Sequence, residues 1–266
     1  MTLDYAPPVS KLLEFGYLRR PPASYVRLLR LAPEHVPELL RLAGDPRLLG
    51  DEVVDGLDSS AYFGPLHAWR ALAELRPPGA AEALVELYHA YPYDEDVLDE
   101  LPECVAAIGP DVAPLLIRAA SDGGWTTDSR SVAVRTMEVL ARRHPETREE
   151  LRAPLGSLFD GYVDNDPELN AALVYGLVAT GAVEHRPAIE AALALGHISR
   201  EHWDWDWLED EFGVVLPPEL PRKPAEIVII PPRHSGAAAA PKRDSSATAR
   251  RKRMQKAARR KNRRRR

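Results

Sequence analysis

Eight histidines and one cysteine are the residues in this chain best suited to metal binding or nucleophilic chemistry. The histidines are followed by Val, Ala, Ala, Pro, Arg, Ile, Trp and Ser. No His-x-x-x-His pair occurs, and His197 and His202 stand five apart, which separates them around a helix. The spacing therefore predicts no metal site and no cofactor. Cys104 shares a helical stripe with Leu101 and Ile108, the place of a buried structural thiol. Being single, it can form neither an intramolecular disulfide nor a zinc ligand set, which fits a reducing compartment. Gly-x-Ser-x-Gly, Walker and Gly-x-Gly-x-x-Gly motifs are all missing, which removes the familiar enzyme signatures without excluding an enzyme.

A second group of polar residues recurs in register. His67, Arg135, His144 and Asn170 fall at corresponding helix starts or loops, where stacked helices can align them as a polar ladder on one face. Trp203, Trp205 and Trp207 alternate with Asp204 and Asp206, and helical geometry leaves Trp205 the most exposed of the three rings. His67, Arg135, His144, Asn170 and Trp205 are thus the candidate partner-binding residues. The weightier reading of the ladder is structural. It has Asn170 and His67 bonding adjacent helix ends, and Arg135 pairing with a carboxylate such as Glu103 or Glu138.

The elements that position these residues follow from periodicity. Leu66–Leu75, Val97–Ile108, Ser131–Leu140 and Leu169–Leu177 each carry apolar residues at three- and four-residue spacing, the mark of an amphipathic helix. With Leu72, Val105, Met137 and Leu177 as equivalents, the steps are 33, 32 and 40 residues. A second helix follows 12 residues later at Leu84, Ile117 and Ile189, and 18 later at Leu155. Pro77-Pro78-Gly79, Gly109 and Gly181 stop the first helices, while Pro110 and Pro187 suit the start of the second ones. One hairpin cannot bury both sides of its stripe, so hairpins in series imply an all-α fold, an α-solenoid.

The expected organisation is a solenoid over residues 1–213, with an irregular N-terminal cap at 1–60, repeats at 61–198 and a capping helix at 199–213. In the cap, Pro33 to Ala43 and Val9 to Phe15 read as helices. A Pro- and Ala-rich linker at 214–240 and a disordered polybasic tail at 241–266 follow. Within the linker, Ile227-Val228-Ile229-Ile230 reads as a short extended piece docking on the body.

Ala106–Leu116 followed by Val132–Leu140 resembles the HEAT-like repeat named after phycobilisome lyases. Pro65–Leu72, Arg143-His144-Pro145-Glu146, Leu169–Leu173, Asp204-Trp205 and Phe212-Gly213 resemble an uncharacterised bacterial family built on that repeat. The likeness runs from about Tyr25 to Gly213. It implies the fold and supplies no established activity. Some relatives implied by it end in a Cys-rich zinc module, and the basic tail departs from that pattern. Di-iron HEAT-like enzymes use His-Glu dipeptides, and this chain has none.

Charge is segregated. Met1 to Leu220 holds 18 basic against 38 acidic residues, a balance of −20, whereas Pro241 to Arg266 holds 14 basic residues against Asp244 alone, a balance of +13. The polyanion-binding candidates are Arg250, Arg251, Lys252, Arg253, Lys256, Arg259, Arg260, Lys261, Arg263, Arg264, Arg265 and Arg266. Such a cluster displaces counterions from RNA, DNA or a ribosome-like surface. No signal-like N-terminus is present and the longest apolar stretch, Ala171 to Val183, has 13 residues, so a cytoplasmic location without a transmembrane segment is expected.

The leading expectation is a non-catalytic scaffold that binds a protein partner, with the tail tethering it to a polyanion. One alternative is a lyase-related or small-ligand-handling enzyme that uses His67, Arg135 or Asn170 in a concave groove. Another is tail-mediated self-association or autoinhibition. A HEAT-like DNA-repair enzyme needs a basic groove, which a body at −20 argues against.

Overall fold

The apolar periodicity becomes helix throughout the computed structural model, which describes residues 3–18, 22–50, 59–199 and 212–214. No strand occurs among the described residues, and the protein is all-α. Among the described residues eleven α-helices run α1 (Tyr25–Leu29), α2 (Val36–Ala43), α3 (Gly64–Leu75), α4 (Ala80–Ala90), α5 (Glu95–Asp99) and α6 (Leu101–Ile108), followed by α7 (Ala113–Ser121), α8 (Thr127–Arg143), α9 (Arg148–Asp160), α10 (Pro167–Thr180) and α11 (Arg186–Ala194). The linker beyond Val214, the tail, Trp205 and most of the expected capping helix lie outside the described residues.

Packing follows chain order. α3 lies against α6, α6 against α8 and α8 against α10, while α4, α7 and α9 form a second row, α4 against α7 and α7 against α9. The equivalent residues Leu72, Val105, Met137 and Leu177 are all fully buried. In the second helices Leu84, Leu155 and Ile189 are buried too, but in α7 that place belongs to Leu116, with Ile117 half-buried. Side-chain bonds tie the rows together. The Trp69 indole donates to the Ala43 carbonyl at 2.8 Å, holding α3 to α2. The Ser129 hydroxyl donates to the Tyr88 carbonyl, and the Tyr88 and Thr136 hydroxyls pair at 2.8 Å, holding α4 to α8.

Helix ends obey local chemistry. Thr126 and Asp166 accept from the backbone N–H groups of Ser129 and Glu168, capping α8 and α10. Gly181, at φ 70, ends α10 in the left-handed conformation that a β-carbon disfavours.

Three elements depart from the sequence reading. The helix expected over Val97–Ile108 is broken at Glu100 into α5 and α6, because Pro102 lacks an N–H and crowds the carbonyl four residues before it. Val9–Glu14 is a 3₁₀ helix. Pro33–Ala43 is a 3₁₀ turn at Pro33–His35 leading into α2. The same turn recurs at Pro110–Val112, Pro145–Thr147 and Val183–His185, each feeding directly into the next α-helix. All four carry an acid at their second position, where the positive end of the following helix favours it.

Candidate functional site

His67 is fully buried in α3. Its Nε2 lies 2.8 Å from the Gly16 carbonyl, which can only accept, so Nε2 carries the proton. Nδ1 therefore accepts from the Tyr25 hydroxyl, also at 2.8 Å. Burial, together with the nearby Arg70 charge, lowers the imidazole to about 4 against the opposing pull of the Gly16 bond, so the ring is neutral at pH 7. Both ring nitrogens are engaged in joining the N-terminal segment, α1 and α3.

The other ladder residues have separate local partners. Arg135 donates to the Leu98 carbonyl at 3.3 Å and pairs with Asp99 at 3.5 Å, so the carboxylate that meets it is Asp99. His144 Nδ1 lies 3.4 Å from Glu146, and its Nε2 is buried without a partner among the described residues. Asn170 is fully buried and donates to the carbonyls of Tyr162 and His197 at 2.8 and 2.7 Å, while its own oxygen accepts from Asn165. No hydrogen bond or ion pair joins any two of His67, Arg135, His144 and Asn170 among the described residues. Trp205 and the tail cations Arg250 to Arg266 lie outside those residues.

The structure brings together a different set. A groove of about 820 Å³ is walled by α1, α3, α6 and the end of α8, and Arg27, Arg70, Arg76 and Arg143 line it. Two carboxylates, Glu74 and Glu103, share the wall. Tyr25, Ala73 and Cys104 are buried in its lining. Arg76 takes the left-handed conformation at φ 49 to end α3, its N–H bonding to the Leu72 carbonyl. Arg143 is the last residue of α8 and Arg27 lies in the last turn of α1, so three of the four cations stand at the negative ends of helices.

The two carboxylates are not equivalent. Glu74 accepts from the backbone N–H groups of Tyr25 and Val26 at 2.8 and 3.1 Å and from the Ser24 hydroxyl at 2.8 Å, which commits it to the start of α1. Glu103 is exposed and takes part in no ion pair among the described residues. Of the four groove arginines, Arg70 alone is in an ion pair among the described residues, through Nη2 to Glu100 at 3.1 Å. It stands beside the Tyr25 hydroxyl, and its Nη1 is buried without a well-formed hydrogen bond. Arg27, Arg76 and Arg143 are exposed.

This surface can bind anions through guanidinium forks. Burial pushes the Cys104 thiol up to about 12, which leaves it protonated and a poor nucleophile. No three His, Cys, Asp or Glu residues gather as metal ligands among the described residues. No single described helix is long and apolar enough to cross a membrane. Sequence reasoning missed the groove, although one signal was present. Arg70 interrupts the apolar window Leu66–Ala73, where a charge needs a partner.

The fold and the groove define an all-α protein with an arginine-lined groove. No family model, curated protein or solved structure matches the chain.

Proposed function

We propose that the chain is a non-catalytic α-solenoid of HEAT-like hairpins that binds a protein partner through the arginine-lined groove. In the same reading its polybasic tail tethers the assembly to a polyanion such as RNA, DNA or a ribosome. Two side-by-side rows of helices in chain order support the solenoid, since each hairpin then shares its seam with the next. The carrying observation is that four arginines line one groove of a body whose balance is −20. Net charge hid this local concentration.

The lyase-related reading has weaker support, because His67 and Asn170 are both spent on internal hydrogen bonds and the groove thiol is protonated. Autoinhibition by the tail at this groove sets like charges against each other.

The tether is tested by fluorescence anisotropy with labelled single-stranded RNA. The native chain is compared with a full-length variant whose Arg and Lys between 250 and 266 are Gln. The native chain is expected to bind with a log–log salt slope of about −4 to −6, for roughly six to eight phosphate contacts on a single strand. The variant is expected to lose that slope; equal affinity and slope for both chains would remove the tether.

A further inference from the structure

We infer that the groove takes an acidic segment of the partner protein, extended and carrying at least two side-chain carboxylates that reach separate arginines. The inference rests on the scaffold reading and names the chemistry of its partner.

Charge complementarity selects an anion. Arg27, Arg76 and Arg143 are exposed and have no ion-pair partner among the described residues, and Arg70 Nη1 lies buried beside the Tyr25 hydroxyl without a well-formed hydrogen bond. Their spread selects an extended ligand. Arg70 and Arg76 are six residues apart along α3, or about 9 Å of helix rise, close to three residues of extended peptide. Arg27 and Arg143 come from other helices.

Peptide fits better than a phosphate chain. Glu74 already holds the N–H groups at the start of α1, so the wall offers an anion side chains rather than a backbone cradle. Glu103 stays free in the same wall, where it repels a continuous row of phosphates but can pair with a lysine or arginine of a mixed peptide. The surrounding body at −20 also repels a polyanion that runs beyond the groove. The tail of this chain, at +13, carries the wrong sign to be the occupant.

The test uses the full-length chain with the tail cations replaced by Gln, so that the tail cannot hold the probe. Anisotropy at low ionic strength compares three labelled probes, an alternating Glu-Ser peptide, its Gln-Ser counterpart and an oligothymidylate. The Glu-Ser peptide is expected to bind at least about tenfold more tightly than the other two. The double variant Arg27→Glu/Arg143→Glu, with both positions exposed at helix ends, is expected to lower the urea midpoint slightly, to stay folded under assay conditions and to lose at least about tenfold in peptide affinity. Arg70→Gln is expected to weaken binding as well, with its urea midpoint reported beside it. Equal binding of the two peptides, or no effect of charge reversal, would overturn the proposal. Groove-dependent preference for oligothymidylate would overturn it in favour of nucleic acid. Dimerisation in sedimentation without Glu-Ser binding would overturn it in favour of a second copy. If peptide binding fails while tail-dependent RNA binding persists, the ligand class falls and the tether stands; the reverse result removes only the tether.

Discussion

Arg135 donates from Nη1 to the Leu98 carbonyl at 3.3 Å, and Leu98 is the residue whose helical donor would be position 102, occupied by Pro102. An arginine of α8 thus serves an acceptor that a proline left open at the break between α5 and α6. Arg135→Met keeps much of the aliphatic stem and removes the donor, and is expected to cost about 1 kcal/mol. Pro102→Ala supplies an N–H at the break and is expected to recover part of that loss. A urea double-mutant cycle checks this, and strict additivity would argue against the link.

His67 makes stability depend on pH. The folded ring holds off its proton until about pH 4, whereas the unfolded imidazole takes one up near 6.5. Between those values the unfolded state binds more protons, so stability falls as pH drops, by up to about 3 kcal/mol for this group. An NMR titration of the folded protein should place the His67 midpoint near 4. His67→Gln should narrow the difference in urea stability between pH 7 and about pH 4.5. A native midpoint near 6.5 would contradict the buried, doubly bonded ring.

Asn170, in the first turn of α10, serves two carbonyls, those of Tyr162 and His197. Asn170→Asp preserves shape but removes both donors and sets a carboxylate against two acceptors. The expected cost is at least about 2 kcal/mol, visible as a lower urea midpoint at neutral pH. An unchanged midpoint would mean that the amide contributes little to this junction.

Gly156 sits in α9 under the His185 ring, and a β-carbon there would lie 2.6 Å from His185 Nε2. Gly156→Ala is therefore expected to destabilise by about 1–3 kcal/mol despite alanine's better helix propensity. In a His185→Ala background the same change should stabilise, by up to about 1 kcal/mol. Thermal or urea unfolding of the four proteins checks whether the sign reverses.

Much of the secondary structure was legible because helical periodicity is local. Apolar spacing located α3, α8 and α10, prolines and glycines bounded several of the helices, and Leu72, Val105, Met137 and Leu177 are all buried. The break at Glu100 was also written in the chain, in Pro102, but its carbonyl partner was not.

The candidate site was much less legible. The recurrence of His67, Arg135, His144 and Asn170 suggested a shared polar ladder, but each has its own backbone or side-chain partners. The residues that do gather, Arg27, Arg70, Arg76 and Arg143, lie in three helices and one helix cap across more than a hundred residues. By itself the sequence determined which stretches coil, which faces are apolar and how charge divides between body and tail, since those properties depend on neighbours within a few residues. Only tertiary packing decided which carbonyl each donor meets and which cations share a groove, because those distances arise from the way separate helices come to rest against one another.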